Sequence, residues 1–412
     1  MEFIDSDRSS LAKDNTVIKL NLTILFVISL FILNETIRTM ISEKIRYINF
    51  PFIIFCTFLL FRALKKINVK LKIIYMVVIF SVFFILTIIN SNMGLLAAGV
   101  SSFIFPLILI SIKIKHHQAI SSLRTFNKVF NPIIVLLLLL GIIDYITHSS
   151  IQLFLAQKNF PYADLIYTEH SWGIYRYYSI IGHPLQTANY FLIFFIMNNI
   201  YSKYEKPLIK GYLTSIITIL GLLLCGSKTA LVVGVILVLF LTNIKKFKWF
   251  YVAMIIITLA TFLNTSLFKE NIGQRFQSAD LSSGRNQLIS TYMYELKNHN
   301  VEAPGFFIGG GEGYSREIVT RLNVLINNFE YPSLIFAYDY GIFPTLIIYI
   351  LIFIYPIMKF IRKKQFYILI CFIGLATYTN TNNGIANLGM DAFAQLCFVI
   401  FILINLKKYE KT

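Results

Sequence analysis

The feature that most constrains this chain is the recurrence of apolar runs, each close to the length of a membrane crossing, separated by short polar breaks. About 20 helical residues at 1.5 Å each traverse the roughly 30 Å hydrocarbon core of a bilayer. Runs of that kind fall near 17–34, 47–63, 72–90, 94–112, 130–147, 184–200, 211–226, 229–244, 248–268, 332–357, 366–382 and 388–406. Backbone polar groups inside lipid must be satisfied within the segment, which favours helices. The pattern therefore predicts an all-α, polytopic transmembrane helix bundle of about twelve spans, residues 1–412 forming one integral membrane domain.

Composition closes the other options. Charged residues make up 14% of the chain, against about 25% in soluble domains, too few to cover a water-exposed surface. The net charge of +17 does not imply nucleic acid, because a nucleic-acid binder concentrates Lys and Arg in one patch. Here they recur in short clusters between apolar runs, as the positive-inside rule produces, so they report orientation and contact with membrane lipid. Cys56, Cys225, Cys371 and Cys397 lie singly inside apolar runs, where cysteine acts as a small hydrophobe. Neither a disulfide framework nor a metal site is expected, and the six histidines suggest no ligand cluster. Acidic residues such as Asp5 and Asp7 before the first run argue for a retained span over a cleaved signal.

With the N-terminus in the cytoplasm, about two thirds of the 37 Lys and Arg fall in inward segments, in clusters such as Arg62 to Lys72, Lys203 to Lys210, Lys359 to Lys364 and Lys407 to Lys411. Both termini are then cytoplasmic. Two long outer loops remain, 148–183 and 269–331, rich enough in aromatic residues to fold over the outer mouth. Charges at membrane depth are expensive and point to function unless they snorkel to the interface. Asp144, Lys228, Glu330, Asp339 and Asp391 are of this kind, at the outer ends of their runs, and Asp391 is the one most expected to snorkel. Gln186, Asn189, Asn380, Asn382 and Asn387 join them there.

Gly309-Gly310-Gly311-Glu312-Gly313 lacks the Lys and Ser/Thr of a nucleotide phosphate loop and reads as a tight outward turn. Four pieces of sequence resemble the bacterial O-antigen polymerase and O-antigen ligase family. Tyr175-Arg176-Tyr177 followed by Gly182-His183-Pro184 is similar to the arginine–glycine–proline stretch closing that family's first long outer loop. Gly226-Ser227-Lys228-Thr229-Ala230 resembles its Ser-Arg turn, with Lys in place of the commoner Arg. Ser283-Gly284-Arg285, a helix and Ile308-Gly309-Gly310-Gly311 match its Gly-Arg, helix and Gly-rich turn. Glu330-Tyr331, followed after nine residues by Gly341, has the spacing of the ligase pattern, with Glu where ligases have His.

The resemblance implies a glycosyltransferase of the bacterial cytoplasmic membrane that joins polyprenyl-diphosphate-linked oligosaccharides on its outer face. It implies an inverting, metal-independent reaction with no cofactor, making O-antigen or capsule, with a chain-length regulator as a possible partner. Arg suits a diphosphate because its planar fork gives paired, charge-assisted hydrogen bonds. Arg176 and Arg285 are thus the expected donor-binding and catalytic residues, with Lys228, His183 and Asp339 as further substrate contacts. Glu330 stands where a general base would deprotonate the acceptor hydroxyl. The alternatives are lipid-headgroup contact or pairing within the loop for the two arginines, and pairing with an arginine for Glu330. At the level of function they are an O-antigen ligase, to which the Glu330 departure gives less weight, and a lipid-linked oligosaccharide flippase. A transporter would more often place broken helices and charges at the midplane in repeated halves.

Overall fold

A computed structural model describes residues 22–158, 160–241, 285–322 and 328–408. Their regular structure is all helix, with two isolated bridge pairs and no strand. Five helices are long and apolar enough to cross a membrane: Glu43–Lys65, Leu71–Ser91, Met93–Ser111, His116–Ile146 and Ile342–Arg362. Leu22–Ile32 and Glu35–Ile41 qualify together as a sixth, bent by 73°. This is a multi-pass membrane bundle; among the described residues five helices, or six with the bent pair, are long enough to cross, against about twelve runs expected over the whole chain.

The difference has local causes. Gly211–Cys225, Phe366–Thr379 and Ala392–Ile404 are apolar but short, and the apolar helix that starts at Lys228 is described only as far as Leu241. The run expected at 332–357 is broken at Gly341 into Pro332–Tyr340 and the helix that follows. The run at 130–147 is the second half of a 31-residue helix that begins at His116. The run at 248–268 lies outside the described residues.

Pro184–Tyr201 is the central helix, buried at nearly every position. It is pinned to His116–Ile146 by a reciprocal carboxamide pair, Asn131 Nδ2 to Asn198 Oδ1 (3.1 Å) and Asn198 Nδ2 to Asn131 Oδ1 (2.8 Å). Phe31, Phe126, Phe130 and Tyr190 pack around it, ring centroids 4.8–5.6 Å apart.

The bundle has two unlike ends. At one, the Lys70 ammonium donates to the Ile110 carbonyl (2.8 Å) and the Lys363 ammonium to those of Ile404 and Leu406 (3.0 and 2.9 Å). Tyr204 donates to the Lys407 carbonyl (2.6 Å) and the Lys407 amide to His116 Nδ1 (3.1 Å). Burial, then the charges of Lys359, Lys363 and Lys113, push the Lys70 ammonium down to about 6. Four basic segments, distant in sequence, thus converge. The described parts of both long loops lie at the other end, where His116–Ile146 finishes and Pro184–Tyr201 begins.

Candidate functional site

The bend in the first described helix organises this second end. A π-helical turn, Ile28–Ile32, closes with the Leu33 amide on the Ile28 carbonyl (2.8 Å), and the chain restarts at Glu35 with Asn34 as N-cap. Such a break frees carbonyls that a membrane interior cannot hydrate. Four of them find a side chain: Asn49 donates to Ser29, Gln395 to Leu30, Tyr190 to Phe31 and Arg38 to Leu33, at 2.8–3.0 Å.

A buried charge network surrounds the restart. Arg38 pairs with Asp391 at 2.8 Å, both side chains 6% exposed. Asp391 also accepts from Asn49 Nδ2 (3.0 Å) and from the Glu35 amide (2.7 Å). Glu35 Oε1 takes Arg46 Nε at 2.9 Å. Asp391 does not reach the interface as expected; it is the hub of this network. The sequence showed a lone acid in an apolar run and gave no sign of Glu35, Arg38, Asn49 and Gln395 gathering around it.

Beside the network is a partly enclosed pocket, its wall including Asn34, Glu35, Gln186, Asn189, Tyr190, Thr379, Asn382, Asp391 and Gln395. The close of the first long loop borders it. Gly182 has a φ of +123°, and a Cβ there would lie 2.4 Å from Thr36 Oγ1 and 2.7 Å from Gln186 Oε1, so only glycine allows this approach. His183 caps the central helix, its Nδ1 accepting from the Leu185 amide (3.2 Å), with its ring among those of Tyr162 and Tyr178.

The first two motif pieces meet. The Tyr177 amide donates to the Leu224 carbonyl (3.0 Å), and the Arg176 stem packs on the Gly226 turn that precedes Ser227 and Lys228. The Arg176 guanidinium is buried and pairs with Glu169 at 2.9 Å, the intraloop alternative left open by the sequence. Its Nε and Glu169 Oε2 have no hydrogen-bond partner. Tyr378 stands beside both Arg176 and Ser227 and donates to the Leu185 carbonyl (2.5 Å), linking this place to the pocket.

The other two pieces also meet. The Gly310 and Gly311 amides donate to the Tyr338 and Asp339 carbonyls (both 2.9 Å). A Cβ on Gly309 would lie 2.4 Å from the Asp339 carbonyl carbon, backbone that cannot yield. Asp339 Oδ1 accepts from the Ser315 amide (2.7 Å) and so caps the helix Tyr314–Arg321, while Glu312 accepts from the Tyr340 hydroxyl (2.7 Å). Asp339 sits outside the crossing that starts at Ile342; burial, then the neighbouring Glu312 carboxylate, raise its carboxyl to about 7. Asp144 likewise caps, accepting from the Ile151 and Gln152 amides and the Tyr175 hydroxyl at 2.8–3.0 Å. Glu330 is half-buried before Pro332–Tyr340. Arg285 is the first described residue of the helix Arg285–Lys297; its side chain lies outside the described residues.

The expected site residues thus fall at two places, Arg176, His183 and Lys228 at the first loop, and Glu330 and Asp339 at the two ends of Pro332–Tyr340 by the second, while the Arg285 side chain lies outside the described residues. Segment 380–391 adjoins both, since Asn382 and Ile385 line the pocket and the Leu388 backbone bonds Glu312. Among the described residues no group of three or more His, Cys, Asp or Glu is arranged to hold a metal ion. Neither a family model, nor a curated protein, nor a solved structure matches this chain.

Proposed function

We propose that the protein is a surface-polysaccharide polymerase, transferring a growing glycan from one polyprenyl diphosphate to the next lipid-linked repeat unit on the outer face of the bacterial cytoplasmic membrane. What supports this reading above all is that the paired motif pieces and the polar pocket share the end of the bundle opposite the lysines, which the positive-inside rule assigns to the outside. Nucleotide sugars and ATP are absent there, and a polyprenyl diphosphate sugar brings its own leaving group. The acceptor hydroxyl oxygen forms a bond to the anomeric carbon as the bond to the diphosphate oxygen breaks. The hydroxyl proton passes to Glu330, the electron pair leaves with the diphosphate, and the anomeric centre inverts. Arg176, Arg285 and Lys228 neutralise the departing charge; Arg176 meets Glu169 through Nη1, and its Nε carries no hydrogen bond.

Arg176→Ala alone strands the Glu169 carboxylate, and breaking a buried pair costs about 3–5 kcal/mol. The double variant Arg176→Ala/Glu169→Gln therefore separates chemistry from folding. We expect Arg285→Ala and the double variant to insert normally and to lose long chains on a polysaccharide gel. Normal chain-length ladders from both would remove this mechanism.

One observation favours a second reading, transport of a lipid-linked oligosaccharide. The 73° bend, flanked by Glu35 and Arg38, is the kind of broken, charged helix that transporters use. Accessibility of cysteines at Glu330 and Asp339 from both faces, alternating with substrate, would select transport.

A further inference from the structure

We infer that the pocket at the bend binds the hydroxyl edge of a sugar ring, so that the neutral part of a ligand is read here and its phosphates elsewhere. Two acceptors on its wall have no donor: Glu35 Oε2 and Asn189 Oδ1, in residues only 3% and 6% exposed. A buried acceptor left unsatisfied costs about 1–3 kcal/mol, and more when charged. An occupant that reaches them, a sugar hydroxyl or an ordered water, would supply the missing O–H donors.

The wall also says what does not bind. It contains two carboxylates and no cationic side chain, the reverse of a phosphate site. Arg38, which lies behind it, is spent on Asp391 and on the carbonyls of Leu33, Arg46 and Gly389. A hard cation wants roughly six oxygens. Both Asp391 oxygens are taken by Arg38, Asn49 and the Glu35 amide, so Glu35 Oε2 and Asn189 Oδ1 make too small a set. Asn34, Gln186, Thr379 and Asn382 bring carboxamides and a hydroxyl, which both donate and accept, as vicinal sugar hydroxyls do. The space is about 410 Å³ with its open mouth included, and little of that is enclosed. The enclosed part has room for about one hydroxyl group, so no more than the edge of a ring enters.

The inference takes its biological sense from the glycan reading above, but its test is binding and not polymer length, so the two fail separately. Gln186, half-buried at the rim, is replaced by Cys in the full chain in nanodiscs; the four native cysteines are buried. Maleimide labelling is then timed with methyl glycosides of glucose, galactose and N-acetylglucosamine, with inorganic pyrophosphate, and with sodium exchanged for choline. At least one glycoside should slow labelling, while pyrophosphate and sodium leave it unchanged. Glu35→Gln should weaken that protection roughly tenfold, as for loss of a charge-assisted hydrogen bond. Asn189→Ala should also weaken it, and leaves the Glu35–Arg46 pair intact. Failure of every glycoside to protect, or protection by pyrophosphate or sodium, overturns the inference.

Discussion

Asp391 shows what a single residue can and cannot announce. A carboxylate inside an apolar run is visible in the sequence as an oddity, and its cost in lipid marks it as important. Its partner Arg38 is 353 positions away and Asn49 is 342 away, so no local pattern points to either. Removing one member of such a pair leaves the other charge buried and bare. Asp391→Ala should therefore lower stability by about 3–5 kcal/mol, seen as a large drop in thermal unfolding temperature in detergent. Arg38→Met added to it should recover part of the loss, because the two charges then leave together while the Leu33, Arg46 and Gly389 carbonyls lose their donor. Equal instability of single and double variants would mean that the pair is not what holds the bend. Arg176 teaches the same lesson on a shorter scale, since Glu169, only seven residues before it, claims the guanidinium that the sequence offered to a ligand.

Among elements, the Gly309 to Gly313 turn was legible as a turn but not in what it clasps. Glycine marks a close approach without naming the neighbour, here the C-terminal end of Pro332–Tyr340. The break at Gly341 was hidden for a related reason: hydropathy runs smoothly through it while the backbone does not. The clasp should depend on pH. Asp339 has an ordinary value of 3.8 and sits at about 7 in the fold. The folded state therefore holds its proton where the unfolded chain has lost it, and stability falls as pH rises from about 4 to about 7, by on the order of 4 kcal/mol in total. Hydrogen exchange at Gly310, Gly311 and Ser315 should be better protected at pH 5 than at pH 8, beyond the intrinsic rate change. Asp339→Asn should flatten that difference; an unchanged pH dependence in the variant would assign it to another group.

At the level of the whole molecule, the sequence showed well which segments are apolar and that lysines mark one end. Crossing number was less legible, because an apolar run does not say how many of its residues join one helix. Fourteen helical residues reach only about 21 Å, and Phe366–Thr379 is of that length. The pocket was legible only in pieces: Gln186, Asn189 and Asn382 stood out as polar, but Glu35 and Gln395 did not.

The Asn131–Asn198 pair has a consequence for the lipid around the protein. Sliding either helix by one turn, about 5.4 Å, would break both hydrogen bonds of the pair, so the floor beneath the pocket is locked in height. Glu43–Lys65 and Leu71–Ser91, by contrast, are only 22% and 33% buried over their apolar stretches and can change their tilt as the bilayer thickens or thins. Thickness mismatch is then absorbed at the periphery, and maleimide labelling of Gln186→Cys should run at the same rate in short-chain and long-chain nanodiscs. A rate that tracks acyl length would mean that the inner helices ride with the bilayer.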